Sequence, residues 1–125
     1  MARVSNFLIL ICSFMNAQPQ LYDFSYDGDN RQYYLYIPDS LEAGAALIFV
    51  FHGYSGSAAG IMGYSDLNSL ADQNGFVVCY PQGLIDDWDY RFWNVGYEFH
   101  SNETHDDVGF VKALAYYLQV QYQLS

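Results

Sequence analysis

The chain has 125 residues, of which 52% are apolar and 19% aromatic, enough to bury one core and too many for a disordered polypeptide. Four Lys plus Arg against fourteen Asp plus Glu give a net charge of -10, which repels a phosphate backbone and argues against nucleic acid as a partner.

Arg3 precedes an apolar run from Phe7 to Met15, and Ala17 follows as a small residue near a cut. This is the order of a secretory signal, expected over residues 1–18, and it places the protein outside the cell or in a periplasm. The run is shorter than the ~20 apolar residues that a bilayer span requires, so no stable membrane anchor is expected. Lipid attachment at Cys12 needs a small residue before the cysteine, and Ile11 is not one. Loss of the signal removes Cys12 and leaves Cys79 unpaired, so no disulfide framework is read.

Residues 19–125 contain no repeat, low-complexity tract or linker and read as one domain. Beyond a polar stretch, Arg31–Pro38 ("RQYYLYIP") sets Tyr33, Leu35 and Ile37 on one face and Gln32, Tyr34 and Tyr36 on the other, as a strand near a sheet edge that Pro38 ends. "ALIFVF" (Ala46–Phe51) and "FVVCY" (Phe76–Tyr80) are apolar without alternation, as central parallel strands covered on both faces are. Between them, Ser65–Gln73 carries Leu67, Leu70 and Ala71 on one helical face behind a serine cap, with Asn74 and Gly75 as its stop. Strand, helix, strand in that order favours a parallel crossover and an α/β core. Val108, Val111, Ala115, Leu118 and Tyr122 recur at steps of three and four, so Thr104 to about Gln121 reads as a long helix, with Thr104 and Asp107 at capping-box spacing. Gly83–Glu103 has no clean period but is dense in aromatics, including Trp88, Tyr90, Phe92, Trp93, Tyr97 and Phe99; loops of this length are usually functional.

The turn "HGYSGSA" follows the first buried strand. A serine nucleophile on a sharp strand-to-helix turn takes the pattern G-x-S-x-G, and neither Ser55 nor Ser57 has it. The backbone remains: Gly53, Gly56 and Gly60 let the main chain approach a ligand, and an oxyanion donor requires geometry more than a particular side chain. On this reading the Tyr54 N–H is the donor, with Ser55 as the neighbouring choice and His52 and Gly53 shaping the turn. The alternative is that His52 and Gly53 simply end a strand. A phosphate loop over Gly53–Gly60 is disfavoured because the G-K-[ST] ending is missing. With a main-chain donor, Tyr54→Phe is expected to be mild, whereas a bulky residue at Gly53 is expected to be severe if that position takes a glycine-only conformation.

Asp86, Asp87 and Asp89 lack the spacing of a calcium loop and read as solvated carboxylates. His100, His105, Asp106 and Asp107 lack the cysteine pairs usual in structural zinc sites, and the two aspartates read as a helix start, so no metal or cofactor is expected.

Taken together, "YYLYIP", "FVFHGYSGSA", "LADQNGFVVCYPQG", "FWNVGY" and "HDDVGFVKALAYYL" resemble the polyhydroxybutyrate depolymerase and feruloyl esterase group of α/β-hydrolases, in order from Arg31 to Leu124. The resemblance implies the N-terminal part of an α/β-hydrolase domain over residues 19–125, a mostly parallel sheet flanked by helices, with the chain stopping before the nucleophile elbow. It carries over the oxyanion turn His52, Gly53 and Tyr54, and the "FWN" segment, where Trp93 and Asn94 would border an acyl or sugar pocket. The implied function is that of a secreted serine esterase acting on feruloyl or acetyl esters of plant polysaccharide or on polyhydroxyalkanoate, with the triad outside these residues and this piece inactive alone. The alternatives are a non-catalytic carbohydrate-binding relative and a serine peptidase on a related scaffold. Without the elbow strand the strand ending at Phe51 keeps an open edge, so the isolated piece is expected to aggregate or fold poorly.

Overall fold

The computed structural model describes residues 17–125, and the apolar run of the expected signal, with Cys12, lies outside them. Two antiparallel strands come first, β1 (Gln20–Tyr26) and β2 (Asp29–Tyr36), joined at Asp27 and Gly28. Both turn residues have positive φ, 50° and 85°, as a two-residue type I′ hairpin requires. β3 (Leu47–Phe49) leads through two short helices, α1 (Ala58–Ser65) and α2 (Leu67–Asn74), into β4 (Val77–Gln82). A two-stranded ribbon, β5 (Leu84–Ile85) and β6 (Arg91–Phe92), follows, then a 3-10 turn at Glu98–His100 and the long helix α3 (Asp107–Tyr122).

The main sheet has the order β1-β2-β4-β3, with β3 parallel to β4 and the other pairs antiparallel. β2 therefore lies inside the sheet, one place in from β1, and both of its edges are paired. β4 is buried on both faces, as its unbroken apolar run predicts. Its alternate residues separate two cores. Val77 and Cys79 join Tyr33 and Leu35 of β2 against Phe110, Leu114 and Leu118 of α3. Val78 and Tyr80 join Tyr36, Ala58 and Ala71 on the opposite face, under α1 and α2. Two polar ties fasten α2 there: the Tyr36 hydroxyl donates to the Asp72 carboxylate at 2.7 Å and the Tyr80 hydroxyl to Asn68 Oδ1 at 2.8 Å.

β3 stands at the outer side of this sheet and is only half-buried. Ser125 N–H donates to the Ala45 carbonyl at 3.0 Å and Leu47 N–H donates to the Ser125 carbonyl at 3.2 Å. One residue bonding to two that flank a third is the parallel pattern, so the backbone after α3 returns beside the start of β3.

Several expected boundaries move. Ser65 closes α1 instead of capping α2, and Asp66 at φ 52° joins the two helices. Gly75, at φ 70°, ends α2 as expected, its N–H donating to the Ala71 carbonyl. α3 starts at Asp107, and its cap is the Asp106 carboxylate, which accepts from Gly109 N–H at 2.8 Å, not Thr104. Its buried stripe runs through Phe110, Leu114 and Leu118, while Val108 is exposed.

Candidate functional site

The chain leaves β3 through a turn whose first anchor is His52, buried to 3% exposure. Gly83 N–H donates to His52 Nε2 at 3.0 Å, which puts the imidazole proton on Nδ1, 2.8 Å from the Gly53 carbonyl that accepts it. Burial lowers the His52 pKa below its ordinary 6.5, against the raising effect of the Gly53 carbonyl, so the ring is uncharged at neutral pH. The His52 carbonyl accepts the Trp93 Nε1–H at 2.9 Å. His52 is thus a bracket between the turn and the aromatic loop, with no nitrogen left to activate either serine.

Several amides of the turn are committed. Ser55 N–H donates to the Arg91 carbonyl at 2.8 Å, Gly56 N–H to the Gly53 carbonyl at 3.0 Å, and Gly60 N–H to Ser57 Oγ at 3.0 Å as the cap of α1. The N–H groups of Gly53, Tyr54 and Ser57 have no acceptor among the described residues. Gly53 and Ser55, on either side of Tyr54, line a cleft of about 320 Å³ together with Gly56, Ser57 and Tyr64.

The expectation for Gly53 is corrected. It does not adopt a left-handed φ, and a Cβ there would meet nothing within 4 Å. The strained residue is Ser55, at φ 60°. The glycine without room is Gly56, whose added Cβ would lie 3.0 Å from the Gly53 carbonyl oxygen and 3.3 Å from His52 Cβ. Gly53→Ala is therefore expected to stay within about 0.5 kcal/mol of the parent in urea unfolding of the complete protein, and Gly56→Val to lose on the order of 1–3 kcal/mol. The reverse ranking would contradict this geometry.

The segment after β4 folds back over the turn. Asp86 is 6% exposed, so its reading as a solvated carboxylate is overturned, whereas Asp87 and Asp89 are exposed as expected. It accepts from Tyr54 OH at 2.8 Å, His100 Nε2 at 3.0 Å, Trp88 N–H at 3.0 Å and Tyr90 N–H at 2.9 Å. Burial raises its pKa, but these donors, His100 and the Tyr90 amide foremost, outweigh it and hold the carboxyl at about 2. Desolvation and the Asp86 contact push the Tyr54 phenol up to about 12.

Trp93 and Asn94 sit at the other end of this loop. The indole packs edge-on to Phe51 at 5.3 Å and against His52 at 5.1 Å, and it borders the α3-side core. Asn94 Nδ2 donates to the carbonyls of Glu103 and His105, and its backbone N–H donates to Asp107. Both residues line an apolar cavity of about 460 Å³ with Phe51, Val95, Val108 and Val111. Asp107 does more than start a helix: it is buried and pairs with Arg31. His105 bonds Asp29 at 2.9 Å, and no cluster suited to a metal ion exists among the described residues. The "HG" turn and the "FWN" segment, far apart in sequence, are thus one unit joined through His52. Sequence reading missed Asp86, Gly83 and the Arg91 carbonyl. An Asp two residues before the amide it binds is a turn signal, but with three aspartates in four positions it does not say which points inward.

Among solved structures, the chain superposes on an acetyl xylan esterase from Aspergillus awamori with a TM-score of 0.65 at 22% identity, covering 85% of this chain and 39% of that one. It also superposes on the fluorophosphonate-binding serine hydrolase F of Staphylococcus aureus, with a TM-score of 0.64 at 13% identity, covering 88% and 43%. The fold is that of the α/β-hydrolases. In sequence, the chain is 34% identical over 67 residues to feruloyl esterase B of Talaromyces funiculosus, covering 54% of the chain and 19% of that protein. Feruloyl esterase B of Thermothelomyces thermophilus is 37% identical over 59 residues (47% and 20%), and acetylxylan esterase A of Aspergillus awamori 32% over 62 (50% and 20%). The resemblance to the feruloyl esterase group is borne out by these relatives. The matched stretch spans about a fifth of their length. No family model matches the chain. No helix among the described residues is long and apolar enough to cross a membrane.

Proposed function

We propose that this α/β-hydrolase chain is the oxyanion side of a secreted carboxylic ester hydrolase that acts by serine acyl transfer. A base-activated serine hydroxyl attacks the ester carbonyl, and its oxygen takes up negative charge held by main-chain N–H groups, that of Tyr54 among them. The alcohol leaves with a proton, and water then releases the acid and frees the serine. Serine, base and supporting carboxylate are supplied from outside residues 17–125. The observation that carries this reading is the uncommitted Tyr54 amide in a turn where the two amides that follow it, at Ser55 and Gly56, are bonded within the protein. An amide without an acceptor in the protein takes one from a ligand or from water.

The names of the relatives favour feruloyl and acetyl esters of plant cell-wall polysaccharide over polyhydroxyalkanoate. The test is an assay of the protein made from its complete coding sequence on methyl ferulate, 4-nitrophenyl acetate and a matched peptide anilide. Ester cleavage with no amide cleavage is the expected result; the 125-residue chain alone is expected to be inactive. Absence of ester cleavage by the complete protein overturns the assignment, and preferential anilide cleavage makes it a peptidase. The exposed rings of Trp88, Tyr90, Tyr97 and Phe99 favour carbohydrate binding as the second reading, and retention on xylan without hydrolysis would establish it.

Trp93 gives a further check. If the cavity it lines takes the aromatic acyl group, Trp93→Ala in the complete protein raises KM for methyl ferulate about tenfold relative to KM for 4-nitrophenyl acetate. A loss of thermal stability with an unchanged KM ratio would assign the indole to support of His52 alone.

A further inference from the structure

The peptide that ends in the Tyr54 N–H is tied at its other end, where the Gly53 carbonyl accepts from His52 Nδ1 at 2.8 Å and from Gly56 N–H at 3.0 Å. On one side of Tyr54 stands Gly53, which has no Cβ to restrict it, and on the other Ser55, at a φ of 60° that a side-chain-bearing residue adopts at a cost. A donor that stabilises an oxyanion must already be aimed when charge develops, so the turn needs further restraint from elsewhere. Four contacts provide it, all from the segment after β4: Gly83 N–H on the His52 ring, the Trp93 indole N–H on the His52 carbonyl, the Arg91 carbonyl on Ser55 N–H, and Asp86 on the Tyr54 hydroxyl. Only the last reaches Tyr54 itself. The Tyr54 ring is also fenced edge-on by Tyr90, Phe99 and His100 at 5.6–5.8 Å, so its position follows that of the loop.

Asp86 is equipped for this work. Its backbone N–H donates to the Tyr90 carbonyl and its side chain receives the amides of Trp88 and Tyr90, which fix the carboxylate within its own turn. His100 donates from Nε2 into the same carboxylate, while its buried Nδ1 has no partner among the described residues. With all these donors in place, the remaining carboxylate lone pair is aimed at Tyr54 OH.

Building on the esterase reading above, we propose that Asp86 is a positioning residue for the oxyanion donor: through the Tyr54 hydroxyl it holds the Tyr54 peptide in the orientation that presents its N–H to the developing charge. The Tyr54 side chain thereby gains a role that a purely main-chain reading does not give it, and Tyr54→Phe is not mild.

The test uses the complete protein with 4-nitrophenyl acetate and a trifluoromethyl ketone analogue of the tetrahedral intermediate. Tyr54→Phe keeps the amide and ring and removes only the hydroxyl, so it preserves the fold. Asp86→Asn removes the charge and half the acceptor capacity. Each is expected to lower kcat about 10- to 100-fold, short of the loss of the donor itself, and to weaken the ketone analogue by a similar factor with KM changed less than about twofold. The double variant should be no slower than the slower single, because both changes break one contact. Tyr26→Phe, which removes a comparable hydroxyl–carboxylate bond to Asp106 away from the turn, should keep the parent kcat. A Tyr54→Phe enzyme with parental kcat and analogue affinity overturns the proposal while leaving the esterase assignment standing, as do multiplicative losses in the double variant. A parent protein inactive on every ester defeats the assignment itself.

Discussion

Replacing Arg31 with alanine is expected to lower the unfolding free energy by about 3–5 kcal/mol, the largest loss from any single change considered for this chain. Arg31 is 1% exposed, its guanidinium pairs with the Asp107 carboxylate and lies 4.1 Å over the Phe110 ring. Truncation removes the cation and leaves Asp107 charged inside the protein with the Asn94 amide as its remaining donor. Leaving one member of a buried pair is much costlier than exchanging both for apolar groups. Arg31→Lys should recover only part of the loss, since an ammonium neither stacks on Phe110 nor matches the planar group it replaces. Urea unfolding of both variants of the complete protein checks this; a loss below about 1 kcal/mol for Arg31→Ala would mean that the pair is not buried in solution. The effect reaches the site, because Asp107 fixes Asn94 and so anchors the end of the segment that carries Trp93.

The second large effect is expected at Gly83. An added Cβ would stand 2.3 Å from the Phe92 carbonyl oxygen and 3.2 Å from His52 Cε1. The nearer atom is backbone and cannot rotate away, so either the β5–β6 ribbon opens or Gly83 withdraws its N–H from His52. In the complete protein Gly83→Ala should cost about 3 kcal/mol of stability and about 100-fold in kcat, because the turn then loses its first anchor. Gly63, where an added Cβ meets nothing, is the matched control and should tolerate alanine. Equal behaviour of Gly83→Ala and Gly63→Ala in both assays would refute the packing argument.

The parts of the fold governed by periodicity and punctuation are legible in the sequence. "FVVCY" is a strand buried on both faces, the alternation of Tyr33 and Leu35 against Tyr34 and Tyr36 divides two cores, and Gly75 stops a helix. The opening hairpin is also written there, in the alternation of Tyr22, Phe24 and Tyr26 before Asp27-Gly28, but the polar residues between them disguise it as a lead-in. α1 is hidden for another reason: Gly60 and Gly63 lower helix propensity in an eight-residue segment that packing stabilises. β3 reads as central because of its apolar run, yet it stands at the outer side of the described sheet.

The site is less legible because hydrogen bonds, not periodicity, assemble it. Composition marks Gly83–Glu103 as unusual, and the sequence resemblance points to the turn and to "FWN". Nothing local shows that His52 reaches Gly83, that Arg91 engages Ser55, or that one of three neighbouring aspartates folds inward to Tyr54. Each of these contacts spans thirty or more residues, so each becomes visible only once the loop is laid over the end of β3.

The bracketing of His52 bears on how chemical modification of this protein should be interpreted. An acylating reagent selective for imidazoles needs an accessible ring nitrogen with a free lone pair. His52 offers neither, whereas His105 is about one-third open to solvent. Inactivation by such a reagent, and its protection by substrate, would therefore report on His105 or on a histidine elsewhere in the complete protein, and would say nothing about the "HG" turn.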